Sequence, residues 1–163
     1  MEENIYRKLR EQCGFTREEA SEKSGDRISD NRLGRIEGNQ HPIHPSEVLV
    51  LAELYKEPTL SNYYCSNECP IGKLYVPEVQ PKDLTQIVLE ILKSLNTLKQ
   101  RQELLIDITA DGVIADDEIK DFVYIQDELE NISLTVETLR FWVEKTIADG
   151  KINLDKYRQI KNG

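Results

Sequence analysis

The stretch Phe15–Asn39, FTREEASEKSGDRISDNRLGRIEGN, decides how the chain folds. Thr16 offers a hydroxyl to cap a backbone N–H, and Glu19, three residues on, reaches back to the cap residue's own N–H: a capping box that starts a helix. Ala20 and Ser21 are small enough for a second helix to approach closely, and Gly25 suits a tight turn that needs positive φ. Ile28 then plugs a core before Ser29 caps the next helix. In that helix Leu33 and Ile36 fall three apart on one face, so Asp30, Asn31, Arg32 and Arg35 occupy the sides turned to solvent or ligand. Two short helices joined by a Gly-containing turn form a helix-turn-helix unit.

Working outward, Ile5, Tyr6, Leu9 and Cys13 recur at helical spacing and predict a first helix over about residues 3–13. After Asn39 the HPIHP loop leads to Pro45, a residue suited to a helix's first turn. Val48, Leu49, Leu51, Ala52, Leu54 and Tyr55 then predict a helix over about 46–56, closed by Glu57-Pro58 because the residue before proline disfavours helical geometry. With a short fifth helix around Leu60, residues 1–60 form a compact bundle of four or five helices.

This segment resembles the XRE, or Cro and lambda-repressor-like, family of bacterial helix-turn-helix regulators. The residues that carry the likeness are Thr16-Arg17-Glu18-Glu19, the closing Gly25, Ser29, and Leu33-Gly34-Arg35-Ile36-Glu37-Gly38. Asp26-Arg27 reads as an insertion between Gly25 and Ile28, and Gly34 is a departure inside the recognition helix, where Gly costs about 1 kcal/mol relative to Ala. The resemblance implies double-stranded DNA as partner. Carried over by position, Asn31 and Arg35 reach base edges, Asp30 accepts from cytosine, and Arg17 and Arg32 hold base edges or phosphates. Asn suits adenine and Arg suits guanine.

The 163 residues are 39% apolar and 31% charged, as in a globular protein. No apolar run approaches a membrane span, and the amino-terminus MEENIYRKLREQ is charged and amphipathic rather than a signal peptide, so the expected location is cytoplasmic, with no membrane partner. Three cysteines, an odd number without C-x-x-C spacing, agree with a reducing compartment. The net charge of −9 opposes DNA binding, and residues 1–60 themselves hold 9 Lys and Arg against 12 Asp and Glu. Placement therefore matters more than the total. Arg17, Arg27, Arg32 and Arg35 cluster at the proposed reading surface.

Residues 61–81, SNYYCSNECPIGKLYVPEVQP, contain three of the six prolines and two of the three cysteines and are expected to be a linker. The NYYC…CPIGK pattern resembles a segment found in a group of bacterial helix-turn-helix proteins of unassigned function. Cys65 and Cys69 with His41 and His44 supply the four N and S ligands of a structural zinc; irregular spacing leaves ordinary thiols and surface histidines as the alternative.

From residue 82 the pattern is heptad. Leu84, Val88, Ile91, Leu95, Leu98, Gln102 and Leu105 alternate four and three apart, and Phe122, Ile125, Leu129, Ile132, Val136, Leu139 and Val143 alternate three and four apart. Two coiled-coil helices are predicted, over about 82–110 and 116–148, folded into an antiparallel hairpin at Gly112 and followed by a short helix from Asn153 with Leu154, Tyr157 and Ile160 packing back. Ala110-Asp111-Gly112-Val113-Ile114 is echoed by Ala148-Asp149-Gly150-Lys151-Ile152. The first copy also fits part of a calcium loop, with Asp107, Thr109, Asp111, Ile114 and Glu118 at ligand-loop positions; a plain helix corner is the alternative.

The expectation is thus all-α: a helix-turn-helix domain over 1–60, a linker over 61–81, and a helical hairpin over 82–163 expected to form a homodimer, with an intramolecular hairpin that caps the first domain, or a sensor that docks a different protein, as the alternatives. No nucleophile elbow or phosphate-cradling Gly loop is present and no cofactor is called for, so the chain does not read as an enzyme. The alternative function is a protein-interaction adaptor whose helix-turn-helix no longer binds DNA.

Overall fold

The computed structural model describes residues 4–109 and 112–162, and among them the chain is all helical. It divides into two compact units. One comprises residues up to Glu78 together with those from Glu144 onward; the other is Val79–Val143.

In the first unit α1 (Ile5–Gln12) begins at Asn4, whose side chain accepts from the Tyr6 and Arg7 amides. The capping box of α2 (Arg17–Lys23) forms as expected: Glu19 N donates to Thr16 Oγ1 at 3.1 Å, and Thr16 N donates to Glu19 Oε2 at 2.7 Å. Gly25 takes φ 68° and Asp26 φ 57°, so the Asp26-Arg27 insertion is absorbed by a left-handed turn that delivers Ile28 to the interior at 2% exposure. Ser29 Oγ then accepts from Arg32 N, starting α3 (Asp30–Glu37), and Pro45 opens α4 (Pro45–Leu54). Tyr6, Ala20, Ile28, Leu33, Ile36, Val48, Leu51 and Leu60 make one buried core, so α1 to α4 turn inward largely the faces the apolar spacing predicts; Leu49 is the exception, 64% exposed because it follows Val48 by one residue, about 100° round α4 from it.

The stretch expected as a linker is largely helical, in α5 (Thr59–Asn67) and α6 (Gly72–Tyr75). Leu60 anchors α5 in the core. A Cβ on Gly72 would collide with the Cys65 carbonyl, so glycine is what lets α6 cross so near α5. Residues 68–71 separate these two helices, and residues 76–83 run without a helix before α7.

In the second unit α7 (Leu84–Gln100) is started by a reciprocal Asp83–Gln86 cap. The single long helix predicted over 82–110 is broken at Arg101, and α8 (Gln102–Thr109) follows. Arg101 pairs with Asp121 at 3.3 Å and lies 3.9 Å from the Tyr124 ring, tying the break to the start of α9 (Ile119–Ala148) and closing the hairpin. The inward residues are only partly the expected ones. Ile91, Leu98 and Leu105 are half-buried, as are Ile132 and Leu139, and Ile125 is fully buried. The other heptad line is displaced by one residue: Ile87, Ser94 and Thr135 are buried, while Val88, Leu95, Leu129 and Val136 are 42–51% exposed. Thr135 and Thr138 satisfy their hydroxyls on the carbonyls four residues back, which makes these small polar residues acceptable inside.

Gly150, at φ 73°, ends α9 with Gly150 N on Ile147 O and Lys151 N on Thr146 O. The final helix, α10 (Leu154–Asn162), is capped by Asn153. Its expected packing does not occur: Ile160 is 74% exposed, because three apolar residues on a nine-residue helix make too narrow a stripe. Among the described residues no helix is long and apolar enough to cross a membrane.

Candidate nucleic-acid interface

Burial of Leu33 and Ile36 fixes the rotation of α3, and Asp30, Asn31 and Arg35 are left on its exposed side. Five arginines lie near this surface, and their partners sort them into two groups.

Arg10 is inside. Its Nε donates to Glu37 Oε1 at 2.7 Å, Nη2 to Glu37 Oε2 at 2.9 Å, and Nη1 to the Phe15 carbonyl. Both side chains of the pair are at most 10% exposed, so a bidentate ion pair bolts α1 and the α1–α2 loop to the last turn of α3. Arg32 is similarly occupied: its Nε and Nη2 each sit 2.7 Å from a Glu47 oxygen, and Nη2 also donates to the Pro42 carbonyl. The guanidinium holds the Glu47 carboxyl below the usual carboxylate range against the opposing effect of burial, helped by the His44 N–H. Arg27 donates to the Ser24 carbonyl and pairs with Glu53 at 3.2 Å.

Arg17 and Arg35 differ. Among the described residues neither side chain has an ion-pair or hydrogen-bond partner, and both are exposed. Arg17, the first residue of α2, points Nη1 of its guanidinium at the bare Cα of Gly34 in α3, in a groove of about 320 Å³ shared with Arg7, Arg10, Glu37 and Gly38. The structure therefore brings Arg17, Asn31 and Arg35 to one surface with Asp30, while it draws Arg32 away toward α4.

The pairing of Arg10 with Glu37 has no counterpart in the sequence reading. Its one signal is spacing: Arg10 follows Tyr6 by four residues and so falls on the inward face of α1.

Neither metal arrangement is assembled among the described residues, where no three His, Cys, Asp or Glu side chains come together as a site. Cys69 Sγ accepts from Gly72 N at 3.5 Å and so helps turn the chain into α6; His44 precedes Pro45 as the cap of α4, and His41 lines a separate small cavity with Tyr6 and Glu68. In the candidate calcium loop Asp111 lies outside the described residues. Glu118 Oε2 accepts from Ala115 N at 2.8 Å, the role of a helix-start cap.

A capped helix, a left-handed turn and a second capped helix with polar residues on its free side define a helix-turn-helix domain of the kind that lays its second helix in a DNA groove. Residues 7–60 match the family model described as helix-turn-helix, and the amino-terminal third of the chain is a helix-turn-helix domain of the XRE type. That family is one of DNA-binding regulatory domains, not of catalytic ones. No curated protein and no solved structure matches the chain.

Proposed function

We propose that this protein is a sequence-specific, DNA-binding transcriptional regulator that acts as a homodimer. One observation carries the reading: Arg17 and Arg35 are the arginines of the amino-terminal domain left without an acidic partner, and they flank the exposed Asn31 on the recognition helix. An exposed arginine with no acidic partner keeps all of its donors for a ligand, and a planar five-donor group suits guanine edges and phosphates. Asn31 reads adenine, Arg35 reads guanine, Asp30 accepts from cytosine, and Arg17 holds a phosphate. Arg32 sets the loop before α4 through Glu47 and so positions the recognition helix.

The second copy is supported by the displaced heptad line. Val88, Leu95, Leu129 and Val136 recur seven apart on their helices, point away from the hairpin's interior, and continue as Leu89 and Leu92, 61% and 51% exposed. Two such hairpins pair face to face in a four-helix bundle, and two reading helices match two half-sites about one DNA turn apart.

The experiment is selection of duplexes from a random-sequence library by the purified full chain, with affinity measured at two salt concentrations beside an Asn31→Ala/Arg35→Ala double variant. Each bidentate contact discriminates by about 1–3 kcal/mol, so the double variant loses roughly 100-fold in affinity and its selectivity at the two base pairs those residues read. Absence of any selected duplex, by folded protein at low salt, would replace the regulator with an interaction adaptor that retains the fold alone.

A further inference from the structure

Gly34 lies in the middle of α3, where its φ is ordinary and no turn, bulge or crossing backbone requires it. Glycine is the least favourable residue there after proline, so its presence needs a local cause. The space beside it supplies one. A Cβ at Gly34 would collide with Arg17 Nη1 and lie 3.5 Å from Arg17 Cζ, and it would meet nothing else within 4 Å apart from neighbouring backbone.

We propose that Gly34 is a positioning residue: the space left by its missing Cβ admits Nη1 of Arg17 and so seats the guanidinium end-on against the recognition helix, aimed at a DNA phosphate. The proposal rests on the regulator reading above and adds to it a residue that itself touches no nucleic acid.

Geometry assigns the phosphate. Gly34 and Glu37 are on the flank of α3 that turns toward α1, one step round from the Asn31–Arg35 face, so a group lying over Gly34 stands beside the base-reading side chains rather than among them. The groove there is lined by three arginines, and two of them are neutralised, Arg7 by Glu11 and Arg10 by Glu37. Arg17 supplies the remaining positive charge. A guanidinium seated against a helix loses fewer rotamers on binding than one waving in solvent, which is what the glycine provides.

The displaced atom is the far end of a flexible side chain, so Gly34→Ala moves Arg17 without breaking the fold. Alanine also raises helix propensity, so the variant's thermal midpoint rises by about 3 °C, even as it binds worse. Affinity for a duplex selected by the wild-type chain falls about tenfold per half-site, the size of one charge-assisted contact, and so about a hundredfold for the two copies together. The slope of log affinity against log salt becomes shallower by about two, as for one phosphate lost by each of the two copies on the duplex. In an Arg17→Ala background Gly34→Ala changes neither affinity nor slope. The idea is overturned by a Gly34→Ala protein that binds with wild-type affinity and slope, or by one that loses as much without Arg17 as with it, since the added methyl would then act on DNA directly. Failure of the wild-type chain to select any duplex is a different result: it removes the regulator reading, and the phosphate role of this seat with it.

Discussion

Replacing Arg10 by Met tests whether the buried ion pair fixes the recognition helix. The methionine keeps the apolar stem and removes three donated hydrogen bonds, two to Glu37 at 2.7 and 2.9 Å and one to the Phe15 carbonyl. Were this pair on the surface, its loss would cost about 0–1 kcal/mol. It is not: Arg10 and Glu37 side chains are 10% and 7% exposed, and truncation strands a carboxylate in the interior. Breaking a buried pair from one side costs about 3–5 kcal/mol, and the larger scale applies here. Removing both charges should be far milder, because the desolvation penalty goes with them; Arg10→Met/Glu37→Leu recovers at least half of the single variant's loss. The assay is urea unfolding of the full chain by circular dichroism for the wild type, both single variants and the double, with amide hydrogen exchange to locate the weakening. Exchange should accelerate first at the Leu33–Glu37 amides. A loss under about 1 kcal/mol for Arg10→Met, or a double variant as weak as the sum of the singles, would refute the reasoning, for the pair would then behave as two independent exposed charges.

Two further outcomes follow from other contacts. Because Arg32 holds the Glu47 carboxyl below its ordinary range, that pair contributes stability above the unfolded carboxyl's pKa of about 4.3 and loses it as pH falls through the lower folded value. Glu47→Gln should therefore cost about 2 kcal/mol at pH 7 and flatten the acid limb of the stability curve below pH ~4.3, as read from urea midpoints at stepped pH; an unchanged acid limb would count against the pair. On the hairpin, Leu95→Glu combined with Leu129→Glu places charges on the exposed heptad line, and sedimentation should then show a monomer with the helical content of the wild type. A wild-type chain that sediments as a monomer at tens of micromolar would remove the dimer.

Local chemistry was readable wherever one residue acts on its near neighbours. Thr16 with Glu19, Ser29 and Gly25 each announced a helix end, and each acts through bonds within five residues, while Pro45 opens α4 through its fixed φ. What could not be read is partnership at a distance. Arg32 and Arg35 look alike in sequence, yet Glu47, fifteen residues on, takes one and leaves the other. Residues 61–81 looked like a linker because prolines and mixed polar residues hide the helical signal; what makes α5 and α6 is docking of Leu60 and the close approach at Gly72. The hairpin shows a third kind of ambiguity. Its sequence carries two overlapping heptad lines, and the more apolar one, with Val88 and Leu95, is not the one turned inward. Ser94 occupies that place, so apolar spacing identifies a helix pair but does not say which line turns inward.

That choice bears on how so acidic a chain could bind DNA. Four of the six arginines in residues 1–60 cancel against glutamates in direct pairs, so the excess of acidic residues there does not measure the field at the reading surface. Locally the surface presents Arg17 and Arg35, two arginine charges per copy. Each phosphate neutralised contributes about −0.9 to the salt slope, so one copy holding a single phosphate through Arg17 would have a slope of only about −1 and little affinity. Two copies on one duplex double the charge and, more importantly, make the second half-site encounter intramolecular, which can strengthen binding by about 10²–10⁴ without any new contact. On this reading the sparse positive charge of the reading helices and the apolar line exposed along the hairpin have one cause. A domain too weakly charged to hold DNA alone gains occupancy by association, and the heptad line left outside the hairpin is the surface that supplies it.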